Sequence, residues 1–426
     1  ILWADCDSAG RTCMNNLAFR ISKLLPNVKR YVFENPDGIS KSDAANLTRE
    51  QIAHHITELV NNPEIALDNK STRVVFGDKF PAPLDDSAYL GILGEVVNIL
   101  DHATESDKQS NYLTLLTFIG LLIGPNTAIE AAIGHPELMT LLVGNTSTAR
   151  KGTSWRASYN QVLKPVMKEL GYDDEEIAAF MISGVSSGEG LVSLFDPPVS
   201  TGAPKAANIQ KFVKLSEFAM FLDTSKRQGN NVSIILRDFY DNEDVEVPTA
   251  RVRALKAISP HLALLAHITP DEFADKFDQR EATYGVLNRF FPMAVKGSKI
   301  LPIERSTFPA GVLTGEIVEI ARLIEQAQRH RDVRFTDDGA ARYNEIRRQE
   351  LDWAEKQGEV FIVKATSRLT DYVGKIAHIM AAMDFRSYSD LTREDSRTGR
   401  SIITAEHVEA AYKWCLRSRE TVRWIF

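Results

Sequence analysis

Hydrophobic positions in the first part of the chain alternate between short continuous runs and helical spacing. ILWAD at the start and VKRYVF further on predict strands, residues 11–25 carry apolar side chains at helical spacing, and TREQIAHHITELV predicts an amphipathic helix. Strands separated by helical stretches indicate a parallel sheet. Because the chain opens directly on a strand and without Met, we expect residues 1–62 to be part of a domain, entered partway through.

A proline-rich polar stretch at residues 63–88 predicts a linker, and apolar spacing from about Tyr89 to Ile133 predicts helix. Within it, the apolar run from Tyr112 to Gly124 is too short to span a bilayer and predicts a buried helix. We therefore expect no membrane partner and a cytoplasmic location.

A second alternating region follows. LMTLLVG, KFVKLSEF, HLALLAHIT, RFFPMAVKG and, less strongly, FMISGVSS predict four or five strands, and a helix is predicted from about Ser154 to Leu170. This pattern indicates an α/β domain over residues 89–310. From about Thr314 onward the pattern is mostly helical, so residues 311–426 are predicted to be a helical C-terminal region.

Composition narrows the class of protein. The 426 residues are 44% hydrophobic and 25% charged, which is ordinary for a globular protein, and the net charge of −7 excludes an overall basic nucleic-acid coat but not a local basic groove. Cys6, Cys13 and Cys415 form no CxxC pair, so they predict reduced thiols and no cysteine-based zinc site.

The segment LLVGNTSTARKGTSW carries the clearest chemistry. A buried strand ends at Gly144, a loop of small polar residues follows, and a helix begins near a lysine. Phosphate binding requires backbone N–H groups, a cation and a helix N-terminus, and Mg²⁺ requires a hydroxyl. The candidate ATP-binding residues are therefore Gly144, Thr146, Arg150, Lys151, Gly152, Thr153 and Ser154, with Thr153 as a candidate Mg²⁺ ligand.

The spacing departs from the regular GxxxxGK[ST] motif. Lys151 lies seven residues after Gly144 instead of six, Arg150 stands where the second glycine would be, and Gly152 separates the lysine from the hydroxyl residue. The alternative interpretation of this segment is a Ser/Thr-rich turn between a strand and a helix.

Polar residues at later strand ends are candidates for the catalytic groups. A P-loop hydrolase needs acids that hold Mg²⁺ and orient water, and Glu189 and Glu217 follow strand-like segments. The alternatives are a carboxylate at a helix start and an ordinary strand-end charge. His267 ends another strand and is a candidate γ-phosphate sensor, or simply precedes a helix capped by Thr269.

Arg289 is flanked by apolar residues and is either a transition-state charge stabiliser acting across a subunit interface or one half of an internal ion pair. The polar stretch before HLALLAHIT predicts either a hairpin that contacts DNA phosphates or a solvated loop. Its candidate DNA-binding residues are Arg251, Arg253 and Lys256.

These motifs, in this order, resemble the helicase-like ATPase of replication proteins from phages, plasmids and integrated elements. VGNTSTARKGTSW, SGVSSGEGL, LSEF, LAHITPDEF and LNRFF carry the resemblance, which covers roughly residues 85–426. It implies a RecA-like P-loop fold, ATP and Mg²⁺ as cofactors, and a homo-oligomeric ring around single-stranded DNA.

The N-terminal segment is similar to the second half of a Toprim domain. LWADCDSAGR matches the strand that ends in Asp-x-Asp, here Asp5 and Asp7, and PDGISKSDAANL matches a later loop with Lys41 and Asp43. The resemblance implies that the two aspartates bind Mg²⁺, as hard carboxylate oxygens do; a polar strand end is the alternative. A glutamate of the Toprim pattern has no counterpart here, so primer synthesis is not expected from this chain.

Together the two resemblances imply a primase–helicase. Two other functions stay open: a non-motor NTPase that responds to nucleic acid in regulation or defence, and an ATP-binding protein with a degenerate P-loop.

Overall fold

The chain forms two compact units in the computed structural model, Ile1–Val75 and Phe76–Phe426. Their boundary falls inside the predicted linker. The structure describes residues 2–4, 32–34, 80–124, 128–129, 134–146, 148–196, 209–227, 229–248, 254–276, 286–297, 299–302, 308–309, 311–329, 332–356, 360–384 and 401–426.

The described residues of the first unit form β1 (Leu2–Ala4) and β2 (Val32–Glu34), which pair in parallel. This confirms the parallel pairing expected for strands separated by a helical stretch. The candidate ligands Asp5 and Asp7 lie outside the described residues, and their role stays a prediction.

The second unit is built around a parallel sheet. The described strands of the whole unit are β3 (Ala128–Ile129), β4 (Met139–Val143), β5 (Met181–Ile182), β6 (Gln210–Leu215), β7 (Val245–Val247), β8 (Leu255–Ala257), β9 (His261–Ile268), β10 (Phe291–Ala294), β11 (Asp332–Phe335) and β12 (Ser401–Ile403). The central sheet has the order β10-β4-β9-β6-β5, and every pairing in it is parallel. The α/β class expected from the alternating pattern is confirmed.

Helices cover this sheet and extend the unit toward its C-terminus. They are α1 (Gly91–Ala103), α2 (Lys108–Ile123), α3 (Lys151–Ser158), α4 (Lys164–Glu169), α5 (Asp174–Phe180), α6 (Gly188–Ser193), α7 (Phe218–Ser225), α8 (Val232–Tyr240), α9 (Pro270–Lys276), α10 (Thr314–Arg329), α11 (Asp337–Lys356), α12 (Val360–Ala365), α13 (Leu369–Ala382) and α14 (Ala405–Ile425). A π-helical turn, Tyr159–Leu163, joins α3 to α4.

The core lies where α2 packs on the central strands. Residues 109–123 of α2 are all buried, and Phe118 packs against Phe212 of β6. The hydroxyl groups of Thr117 and Thr140 form a hydrogen bond inside this interface, with their oxygens 2.7 Å apart. The buried helix predicted from the apolar run is therefore confirmed. It packs against β4, the strand that leads into the candidate phosphate loop.

Three predicted regions differ from the structure. The C-terminal region predicted to be helical also contains β11 and β12, which pair in parallel. The helix expected to reach Ile133 ends at Ile123, and the chain forms β3 afterwards. The strand expected over FMISGVSS is only Met181–Ile182, because helix α5 runs through Phe180. Asp173 caps that helix in a capping box with Glu176, which favours helix up to the start of the short strand.

Candidate functional site

The candidate phosphate loop connects β4 to α3 at the carboxyl edge of the central sheet. Gly144 follows the strand at a point of close approach: a Cβ there would lie 2.5 Å from the Ala149 Cβ and 2.5 Å from the main-chain oxygen of Val295. Only glycine fits without displacing backbone. In open parallel sheets, ligands bind outside the carboxyl ends of the strands where the strand order reverses, and β4 occupies that position because later strands lie on both of its sides.

Arg150 adopts a left-handed backbone conformation directly before α3, with φ of 52°. An L-residue with a side chain rarely takes this conformation, whereas glycine takes it readily. Arg150 is also the residue that stands where the regular motif has its second glycine. Its guanidinium pairs with Glu105 at 2.8 Å, so an arginine takes the left-handed conformation that a glycine at this position would take readily.

Lys151 lies at the meeting point of two strand ends. Its ammonium group donates to the carbonyl oxygen of Gly144 and to that of Ile268, the latter at 3.1 Å. Burial lowers the pKa of Lys151 to about 8, against an opposing effect of Glu272. Among the residues that the structure describes, no carboxylate forms an ion pair with Lys151. A partly desolvated ammonium group held by carbonyl oxygens is available to an incoming anion.

His267 lies next to this lysine and is 4% exposed. Burial, followed by the positive charges of Lys214 and Lys151, lowers its pKa to about 3, so the imidazole is neutral at physiological pH. Within the part of the chain that the structure describes, its Nε2 has no hydrogen-bond partner. The strand end therefore carries a neutral, buried imidazole whose pKa is also lowered by the charges of two lysines.

Two residues of this cluster were missed from sequence. Lys214, inside β6, lies near His267, and Glu272, on the first turn of α9, lies near Lys151. The Thr269 hydroxyl accepts from the N–H of Glu272 at 3.3 Å, which confirms the capping role considered for Thr269. In return, the Glu272 carboxylate accepts from the hydroxyl and the N–H of Thr269, at 2.7 and 3.1 Å. The sequence TPDE predicts Glu272 as part of a helix cap, but no pattern in the neighbouring sequence predicts that Glu272 lies near Lys151.

The other loop residues have different surroundings. Thr146 and Gly152 are exposed, and Thr153 is half-buried on the first turn of α3. Ser154 is fully buried, and its hydroxyl accepts from Ser110 of α2 at 2.7 Å. The Ser154 hydroxyl is therefore engaged in the packing of α3 against α2. Contact of Ser154 with a nucleotide stays a prediction.

The strand order separates the two candidate acids. Glu217 follows β6, which is two strands from β4, whereas Glu189 lies on α6 after β5, which is three strands away. At about 4.8 Å per strand, the lateral offsets are roughly 10 and 14 Å. Both side chains are exposed. The topology places Glu217 closer to the candidate phosphate loop.

Arg289 lies at the other edge of the sheet. It precedes β10, whose Phe291 is in register with Thr140, so it is near the start of β4 rather than its end. Its guanidinium pairs with Asp241 at 2.7 Å, and Arg368 binds the same carboxylate at 3.0 Å. The internal ion pair, which the sequence left open as one alternative, is what the structure contains.

The predicted hairpin is present in its described part. β7 and β8 pair antiparallel, and Lys256 of β8 forms an exposed ion pair with Glu246 of β7 at 2.9 Å. Arg251 and Arg253 lie outside the described residues. Contact of this hairpin with DNA stays a prediction.

Comparison with protein-family models and with curated protein sequences found no match. Of the helices in the described ranges, none combines the length and the apolar character needed to cross a bilayer.

Proposed function

We propose that the second unit is a P-loop ATPase of the helicase-like type that sequence resemblance suggests. The observation that carries the proposal is the position of Lys151, whose ammonium group lies between the carboxyl ends of β4 and β9 at the N-terminus of a helix. A triphosphate at this place would meet a cation and the N–H groups of the first helical turn, the two features that bind phosphate in such loops.

Other residues are proposed to bind Mg²⁺, orient the attacking water and contact the γ-phosphate. Thr153 and Glu217 would face a Mg²⁺ ion bound with ATP, which supplies charge neutralisation of the phosphates. Glu217 would orient the water that attacks the γ-phosphorus, releasing ADP and inorganic phosphate. Neutral His267 would donate or accept a hydrogen bond at the γ-phosphate, with Lys214 and Lys151 as the neighbouring cations.

The helicase part of the proposal adds a homo-oligomeric ring, single-stranded DNA and strand separation driven by ATP, in a primase–helicase of a phage or mobile element. It rests on the resemblance of residues 85–426 and on the β7–β8 hairpin as a DNA-contacting element. The first unit, with its parallel strands, is proposed to be the partial Toprim segment.

A non-motor NTPase is the second candidate, and one observation favours it. Arg289, the candidate for action across a subunit interface, is engaged with Asp241 of its own chain, and its side chain is only 14% exposed. A motor whose hydrolysis depends on a neighbouring subunit would need another cation in that role.

The test is ATP turnover measured with and without single-stranded DNA, together with unwinding of a forked duplex. The motor proposal predicts DNA-stimulated turnover and strand separation. Turnover without strand separation would support the non-motor NTPase, and absence of nucleotide binding would contradict both.

A further inference from the structure

A second polar cluster lies at the opposite edge of the central sheet from the candidate phosphate loop. Glu137 comes two residues before β4, and His261 is the first residue of β9, the neighbouring parallel strand. His135 lies two residues before Glu137. The start of the two central strands therefore brings two imidazoles and a carboxylate together across 124 residues of sequence.

The geometry of the three side chains is that of a ligand set. One nitrogen or oxygen atom from each lies within 4.8 Å of the others. Glu137 Oε1 and His261 Nδ1 are in hydrogen-bond contact, and the two imidazole rings are perpendicular with centroids 4.6 Å apart. A tetrahedral zinc ion places its ligand atoms roughly 3.3–3.5 Å apart, so side-chain shifts of about 1 Å would bring these three atoms to that spacing.

Burial makes the cluster costly without a further partner. Glu137 is 4% exposed and His261 1% exposed. Among the residues that the structure describes, Glu137 Oε2 has no hydrogen-bond partner. The nearby ammonium group of Lys375 bonds the main-chain oxygen of Glu137 at 3.3 Å, not the carboxylate. A buried carboxylate oxygen without a partner is strongly unfavourable, and a cation would satisfy it.

A cavity lies next to this cluster. Its volume is about 230 Å³, and its walls include Gly134, next to His135, and Asn242, whose Nδ2 is 3.4 Å from His261 Nδ1. This volume holds several water molecules. The cavity therefore places room for water beside direct neighbours of the cluster, where a water could complete the coordination of an ion.

We propose that His135, Glu137 and His261 bind one divalent transition-metal ion, with Zn²⁺ as the expected ion. Two imidazole nitrogens and one carboxylate oxygen with an open position form a known zinc ligand set, whereas Mg²⁺ and Ca²⁺ prefer oxygen ligands throughout. The site uses no cysteine, which is why spacing of cysteines did not reveal it. It would tie the entry of β4 to the entry of β9 and so stabilise the strands whose other ends carry Gly144 and His267.

The experiment measures Zn²⁺ bound to the full chain after removal of metal, by equilibrium dialysis and elemental analysis, with Co²⁺ absorption as a spectroscopic probe. Nucleotide is left out, so the result does not depend on the proposed ATPase. We expect about one Zn²⁺ per chain, a higher unfolding temperature with Zn²⁺ because the ion binds the folded state, and no such effect of Mg²⁺.

His135→Asn, Glu137→Gln and His261→Asn should each weaken Zn²⁺ binding by more than about tenfold, since loss of an outer partner of a metal ligand alone costs that much. His102→Asn, which removes an exposed histidine on α1, is the matched control and should bind like the wild type. His135 is only half-buried, so its variant is expected to fold even where the buried variants do not. Absence of Zn²⁺ binding by the folded wild-type chain, or unchanged binding by folded His135→Asn, would overturn the proposal.

Discussion

The ammonium group of Lys151 donates to the carbonyl oxygen of Ile268 at 3.1 Å, which links the first turn of α3 to the end of β9 across 117 residues. A bound phosphate would have to draw the ammonium group from this carbonyl. Lys151 is thus both a structural link and the proposed anion contact. Because the second role requires a charged ammonium group, ATP affinity reports on the charge state of Lys151.

Phosphate affinity should depend on the charge of Lys151. Because burial lowers its pKa to about 8, the group is cationic below that pH and loses its charge above it. We expect ATP affinity to fall by about tenfold between about pH 7.5 and pH 9.5, measured by titration calorimetry. Lys151→Arg keeps a charge throughout this range, so its affinity should not change with pH; an equal decline in both proteins would contradict the assignment.

The backbone of Arg150 predicts a difference between two substitutions. Arg150→Gly and Arg150→Ala both remove the ion pair with Glu105, but only glycine adopts φ of 52° without a steric penalty. We expect the glycine variant to have the larger free energy of unfolding, by about 1 kcal/mol, in urea denaturation. Equal stability of the two variants would show that the left-handed turn is not held in solution.

Two glycines of the candidate phosphate-binding segment, one in the loop and one on the first turn of α3, should respond differently to alanine. Gly144→Ala places its Cβ 2.5 Å from backbone and side-chain atoms, whereas a Cβ on Gly152 meets no atom within 4 Å. The first change should lower the free energy of unfolding by about 2 kcal/mol or more. The second should leave it unchanged or raise it by up to about 1 kcal/mol, because alanine favours helix. Urea midpoints compare them, and a harmless Gly144→Ala would contradict the close approach.

Much of this site follows from local sequence pattern, and the rest depends on distant residues. The strands that carry Gly144 and His267 at their ends, β4 and β9, are short and mostly apolar, so their position was predictable. The burial of Ser154 depends on Ser110, 44 residues earlier, and the ion pair of Arg289 depends on Asp241, 48 residues earlier. Periodicity carries no information on such pairs, because they are set by how helices and strands pack.

Strand order, which the sequence pattern does not predict, also distinguishes the two candidate acids, Glu189 and Glu217. Because β6 lies nearer to β4 than β5 does, Glu217→Gln should reduce ATP turnover by about 100-fold while nucleotide binding persists. Glu189→Gln serves as the matched change on the more distant element and should have a much smaller effect. The reverse order of effects, measured as steady-state phosphate release, would assign the water-orienting role to Glu189.

The central claim is that Lys151 binds the phosphates of ATP, and equilibrium binding of labelled ATP with Mg²⁺ tests it most directly. Lys168→Ala is the control, because Lys168 is an exposed lysine on α4 that pairs with Asp174 at 3.0 Å. We predict that Lys151→Ala loses at least about tenfold in affinity, the value of a charge-assisted contact of about 1.5 kcal/mol or more, while Lys168→Ala binds like the wild type. Equal ATP affinity of folded Lys151→Ala and wild-type protein would contradict the account.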